Sequence, residues 1–272
     1  MSLSPSAVPS PSTASLVSGD VVRRPRVRRI SQADLDWALS EGWEDFKAKR
    51  GDILVLAFIY PLVGIVAILL TFNGAMLPLV FPMVAGLSIF GPAAASGFYE
   101  IARRREIGLE SGWLHVFDPW RGPARAGPIL LTFGLALWFL VWLGAAWMIY
   151  AATIGADYPL SRAEFLRRLF STPQGLTMIV LGNGIGFVFA CITLAFAATS
   201  FPMVVDKPVG VDVAVETSIR AVAANPRVMA SWGLRVAGLL VLGCLPAFIG
   251  LAVVLPVLGY ATWHLYTRLV ER

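Results

Sequence analysis

The chain has 272 residues, 57% hydrophobic and only 14% charged, with a mean hydropathy of +0.72. A soluble domain cannot hide that much apolar surface, because a compact fold leaves much of its surface facing water. The net charge of +5 and the pI of about 9.6 do not point to nucleic acid: the basic residues flank long apolar runs and are almost absent from their interiors, the placement of membrane anchors and topology signals.

Residues 1–29 read as a disordered tail, rich in Ser and Pro at first and then basic; residues 30–272 read as one transmembrane domain. No positive segment followed by an apolar run marks a signal peptide, and Met1-Ser2 is not a myristoylation start. Ser31-Gln-Ala-Asp34 resembles a capping box with Asp in the Glu position. Leu35, Leu39, Trp43 and Phe46 follow on one helical face, which predicts an amphipathic helix lying in the membrane plane.

Four apolar runs, 53–72, 76–99, 128–152 and 174–201, contain no Asp, Glu, Lys or Arg and each reaches the roughly 20 residues a bilayer requires. The stretch 228–268 would be about 60 Å long as one helix, twice the hydrocarbon thickness. Splitting it near Leu245-Pro246 gives spans 228–246 and 249–267, so the fold class is an all-α bundle of six transmembrane helices. Six spans put 19 of the 22 Lys and Arg on one side, with Arg162, Arg167 and Arg168 opposite. Positive-inside bias then places both termini in the cytoplasm of a bacterial inner-membrane protein.

The spacing before the first span recurs before the third as Leu109, Trp113, Phe117 and Trp120, and before the fifth as Val211, Val215, Ile219 and Val222. Pro82-Met-Val-Ala-Gly86-Leu87-Ser-Ile-Phe-Gly-Pro92 and Pro246-Ala-Phe-Ile-Gly250-Leu251-Ala-Val-Val-Leu-Pro256 share the pattern P-x3-G-L-x4-P. Each is followed by an aromatic residue (Tyr99, Trp263) and then an Arg (Arg104, Arg268). These coincidences suggest three repeats of an in-plane helix and a helical hairpin, degenerate in the middle one. Gly182 and Gly186 form a GxxxG pattern that favours close helix approach. Ser161-Arg-Ala-Glu164 opens a short helix on the outer face, with Leu166, Leu169 and Phe170 toward the leaflet.

Catalytic chemistry is hard to assemble. His115 and His264 are the only histidines, too few for a haem-copper oxidase core, although His264 is a weak candidate ligand for a haem. No metal site and no cofactor is expected. Cys191 and Cys244 read as buried, inert thiols. The span interiors offer chiefly Asn183, a candidate for interhelical hydrogen bonding or, less readily, substrate contact. Glu100 and Arg104 read as a local ion pair. No Gly-rich phosphate loop, HExxH, GxSxG or carboxylate pair occurs.

Pro256-Val-Leu-Gly-Tyr260-Ala-Thr-Trp263-His264-Leu-Tyr266, together with Gly91-Pro92 through Tyr99-Glu100 to Arg103-Arg104, Ser200 to Asp206, Thr217-Ser218-Ile-Arg220, Asn225-Pro226 and Trp232, resembles domain-of-unknown-function family 2189. That is a family of prokaryotic integral membrane proteins, some labelled cytochrome c oxidase subunits. The resemblance extends over most of residues 31–270. It implies a histidine in many members where this chain has Tyr260; the tyrosine removes the partner that His264 would have one turn away and weakens any cofactor reading. The positions singled out for function or packing are Pro92, Tyr99, Glu100, Arg104, Asn183, Pro256, Trp263 and His264. The expected role is a non-enzymatic interaction or accessory subunit with the lipid bilayer and other membrane subunits as partners. The alternative is a transporter or channel for a small neutral or lipid-like molecule.

Overall fold

The computed structural model describes residues 25–57, 62, 65, 69, 77–155, 161–246 and 248–272. Regular structure among these is helical, with one isolated bridge between Val27 and Val270. Helix α1 (Gln32–Ala57) is followed, past a stretch outside the described residues, by α2 (Val80–Gly86) and α3 (Gly91–Glu106). Next come a 3₁₀ turn (Trp113–Phe117), α4 (Asp118–Arg121), α5 (Ala126–Thr153), α6 (Arg162–Ser171), α7 (Pro173–Ala197) and α8 (Ser200–Asp206). Helices α9 (Val211–Ala224), α10 (Pro226–Cys244) and α11 (Leu251–Leu269) complete the chain. Prolines 92, 119, 173 and 226 sit in the first turns of α3, α4, α7 and α10, where a missing N–H costs nothing.

Four stretches are long and apolar enough to cross a bilayer: Leu77–Glu106, Ala126–Thr153, Pro173–Asp206 and Pro226–Cys244. They match the expected spans 76–99, 128–152, 174–201 and 228–246. At most 28% of the most apolar window of each is buried in the protein, and Phe133, Leu140, Val180, Phe187, Leu234 and Val241 stand exposed along them. An apolar belt of this extent is stable only against lipid; the protein is an integral membrane protein. The expected first span, 53–72, lies mostly outside the described residues, although Leu62, Ile65 and Leu69 are helical and exposed. The expected last span coincides with α11, which is less apolar than the four because Trp263, His264, Tyr266 and Arg268 occupy its end.

The break between α10 and α11 falls where the prolines place it, as a turn after Cys244 in which Phe248 takes a left-handed φ of 66°. The other copy of the P-x3-G-L-x4-P pattern behaves differently. It leaves one continuous span but converts Leu87–Phe90 to a 3₁₀ segment between α2 and α3. There Gly86 lets α2 approach α5, since an added Cβ would lie 2.5 Å from the Phe139 ring and 2.8 Å from Trp142.

The core runs from the spans, with Phe98, Leu131, Leu135 and Trp142, to the charged end of the bundle. Leu35, Ala38 and Phe46 of α1 pack on α11, whose Tyr260, Trp263 and Tyr266 are fully buried. Helix α11 in turn packs on α3, and α3, α8 and α11 meet one another. The 3₁₀ turn and α4 rest on α3, and α9 rests on α7 and α8.

Helix α1 is a single 26-residue helix running antiparallel to α11. Gly42 allows that contact, because a Cβ there would meet Ala261 N at 2.6 Å and Val257 O at 2.7 Å. Of the expected apolar stripe, Leu35 and Phe46 are buried in the protein while Trp43 is 45% exposed. The second amphipathic element is not one helix, because Gly112 precedes a 3₁₀ turn, Pro119 opens a new short helix, and Leu109 lies outside both. The third is a helix, α9, but it buries its small residues Ala214, Thr217, Ser218 and Ala221, leaving Ile219 of the apolar stripe exposed.

Cys191 is exposed rather than buried, and Cys244 is half-buried. In a membrane helix an apolar run needs only lipid around it. The GxxxG pattern is used at one end only, where Gly186 lies against the Trp142 ring while Gly182 has open space.

Candidate functional site

Charge is built into one end of the bundle by the ends of α3, α8 and α11. Glu106 closes α3, Asp206 closes α8, and Arg272 follows α11. Arg272 pairs with Glu106 through both terminal nitrogens and lies 3.8 Å from Asp206; the Glu106 hydrogen bonds hold its guanidinium above the usual arginine range. Trp263 Nε1 donates to Glu106 at 3.2 Å, and Tyr266 donates its hydroxyl proton to Asp206 at 2.9 Å. Three helices are thereby joined at one partly exposed polar knot.

A second knot ties α1 to it. Asp45, 7% exposed, accepts from Arg105 Nη1 at 2.6 Å and pairs with His264 Nε2 at 2.9 Å. The His264 ring meets Trp37 edge-on at 5.6 Å, and Arg268 stacks over Trp37 at 4.0 Å. His264 thus has its outer nitrogen committed to a carboxylate, and any metal or haem ligation through that atom must break the pair. Among the described residues no group of three or more His, Cys, Asp or Glu is arranged to hold a metal ion.

Beside these knots lies an open cleft of about 430 Å³, between the end of α3, the turn through α4 and the start of α5. Arg103, Arg104, Arg121 and Arg125 line it together with Glu100 and Asp118. Glu100 is buried and takes a bidentate pair from Arg103 (2.8 and 2.7 Å) and a bond from Arg104 Nε (2.8 Å). Arg104 reaches on to Asp118 at 2.9 Å, which also pairs with His115 Nδ1 at 2.8 Å. Arg121 stacks on Phe117, 5.0 Å from the ring centre, and among the described residues neither Arg121 nor Arg125 has a carboxylate partner. Pro128, Val204 and Val205 form an apolar wall.

The expected Glu100–Arg104 pair is present but is part of this larger network. Tyr99 is buried in the core of α3, Pro92 opens α3, and Pro256 lies inside α11. Trp263 and His264 belong to the two knots, so Glu100, Arg104, Trp263 and His264 all gather at one end. Asn183 does not: it is exposed and donates to Ile179 O of its own helix at 2.8 Å, with no interhelical partner among the described residues. Sequence reasoning missed Asp45, Arg105, Glu106, Asp206 and Arg272, whose partners lie 60 to 219 residues away. It also counted Arg121 and Arg125 only as topology charges; their placement between Pro119, Pro123 and Pro128 was the available signal of a rigid turn.

These features define a multi-pass helical membrane protein with a polar, cross-linked end. Residues 80–206 match the family described as "Predicted integral membrane protein (DUF2189)". The match runs from α2 through α8 and holds the whole cleft, while Pro256, Trp263 and His264 lie beyond it, so it is narrower than the resemblance read from sequence. No curated protein and no solved structure matches the chain.

Proposed function

We propose that this is a non-enzymatic six-span protein of a bacterial inner membrane, whose charged end faces the cytoplasm and serves as a platform for other membrane subunits. One observation carries the topology. Arg28 N donates to Leu269 O at 2.8 Å and Glu271 N to Arg26 O at 3.0 Å, so the segments flanking α1 and α11 share one side. An even number of crossings between them is required. The four strong spans meet that requirement, and so do the six read from the sequence, in which the 53–72 run and α11 are added. The crowding of Lys and Arg favours the cytoplasm for that side.

Threefold repetition is supported by the packing. The element preceding each hairpin rests on the last helices of another: the 3₁₀ turn and α4 on α3, α9 on α7 and α8, and α1 on α11. The interaction role is supported by the use made of the acids, since Asp45, Glu106, Asp118 and Asp206 tie elements together and stiffen the end of the bundle. Respiratory oxidase subunits are the first partners to seek, given the label in the family it resembles.

Purification from native membranes in gentle detergent, with partner identification and an optical spectrum, tests the role. Defined membrane subunits should copurify; a protein that emerges alone refutes the platform, and a Soret band returns His264 as a ligand. Single cysteines at Thr13 and Asp157, in a background lacking Cys191 and Cys244, test the topology. Impermeant maleimide on spheroplasts should label position 157 only. The 3₁₀ break at Leu87–Phe90 favours a second reading, a transporter for a small neutral or lipid-like molecule, for which flux in proteoliposomes is the test.

A further inference from the structure

We infer that the cleft between α3 and α5 is a binding site for a phosphate group, carried by an anionic lipid headgroup or by a free phosphate. The inference rests on the reading of the charged end as a binding face and names its ligand class. Four guanidinium groups face two carboxylates across the cleft, a formal excess of two positive charges. The pairing within it sorts the arginines into two kinds. Arg103 and Arg104 are locked by Glu100 and Asp118 and so form a fixed wall. Arg121 and Arg125 have no carboxylate partner among the described residues, and both are exposed, so their donors are available to a ligand. A planar guanidinium presents paired donors that match phosphate oxygens, and Arg carries that charge at any physiological pH.

Shape and position agree with this ligand. The cleft, about 430 Å³ and open to solvent, has room for a phosphate group. Arg103 and Arg104 stand at the end of one span and Arg125 immediately before another, which is the headgroup level of a bilayer. The wall of Pro128, Val204 and Val205 adjoins the spans, so an amphiphile can keep its phosphate among the arginines and its glycerol and first methylenes on apolar surface.

The test uses the full chain in a neutral detergent, titrated with dioctanoyl phosphatidylglycerol, dioctanoyl phosphatidylcholine and inorganic phosphate. Arg121→Gln/Arg125→Gln and the charge-reversed Arg121→Glu/Arg125→Glu are compared with Arg227→Gln, which lies outside the cleft. Phosphatidylglycerol should bind more tightly than phosphatidylcholine. The Gln pair should weaken it by about tenfold or more, as expected for losing two charge-assisted contacts, and the Glu pair should weaken it further. Arg227→Gln should change nothing. Phosphatidylglycerol binding far more tightly than inorganic phosphate identifies a lipid headgroup; equal binding identifies a free phosphate. Absence of binding by both, or binding indifferent to the Gln and Glu pairs in protein that stays monodisperse with native helix content, overturns the site. Copurification of partners separates the two claims: partners without phosphate binding refute only the cleft, and phosphate binding without partners refutes only the platform.

Discussion

Substituting Gly42 by Ala should destabilise the protein even though the change favours the helix. In an open helical position, Gly→Ala stabilises by up to about 1 kcal/mol. At Gly42 the new Cβ lies 2.6 Å from Ala261 N, 2.7 Å from Val257 O and 2.8 Å from Ala261 Cβ, where ordinary contact begins at 3.4 Å. Two of these atoms are backbone and cannot rotate away, so α1 must retreat from α11 by about 0.8 Å, the difference between 3.4 and 2.6. Retreat opens the packing of Leu35, Ala38 and Phe46 and stretches the Asp45–His264 pair, a cost of about 1–3 kcal/mol for overpacking. Gly238 of α10 is the control, because nothing lies within 4 Å of its added Cβ. Comparing Gly42→Ala with Gly238→Ala cancels the helix propensity and leaves the packing term. At about 2–4 °C per kcal/mol for a chain of this size, thermal unfolding in detergent should place Gly42→Ala roughly 2–12 °C below Gly238→Ala. If Gly42→Ala melts at or above the control, α1 does not cross α11 at this distance.

Replacing Asn225 by Ala removes an acceptor for Ile30 N and a donor to Arg28 O and Ala221 O. A loss of about 1–3 kcal/mol should follow, seen as faster limited proteolysis at residues 25–30; an unchanged cleavage rate refutes the clamp. At the opposite end of the bundle, hydrogen bonds from Arg167 and Arg168 lower the Glu164 carboxyl from 4.5 to about 2. Its pairing on α6 should persist below pH 4.5 and disappear only as pH falls through about 2, because a depressed carboxylate stabilises above its unfolded value. Carboxyl NMR of the labelled protein gives the midpoint, and titration near 4.5 would contradict the pairing. Cys191 faces outward from α7, so a lipid-soluble maleimide should modify it in intact membranes while a charged thiosulfonate does not; equal reaction with both would place it in an aqueous path.

Sequence and structure agree where the deciding physics is local. Span lengths depend on runs of adjacent residues, and so do the two N-terminal boxes. Ser161 accepts from Glu164 N at 3.2 Å as its spacing implies. The carboxylate of Asp34 accepts from both Ser31 N and Ser31 Oγ at 2.8 Å; these bonds hold it below the usual carboxylate range. Helical spacing alone, by contrast, cannot say which face is covered. The stripe Val211, Val215, Ile219 and Val222 is a sound amphipathic pattern, yet α9 packs through Ala214, Thr217, Ser218 and Ala221, because small residues bring backbones close and a membrane interface can host the larger ones. Asn183 misled for a related reason. One polar group in an apolar helix can be satisfied by its own backbone one turn back, so it need not mark a partner helix.

The charged end joins these two scales. Its arginines were visible in the sequence, but their partners come from separate parts of the chain: Asp45 in α1, Asp118 in α4 and Asp206 at the end of α8. In the proposed threefold ring, α1 occupies on α11 the place that α4 occupies on α3 and α9 on α8. The α1–α11 contact, the bridge between Val27 and Val270, and the buried amide of Asn225 that fixes residues 28–30 hold residues 25–57 against the end of the chain. The cleft falls between consecutive elements α3 to α5, and it retains two arginines that the fold itself does not consume.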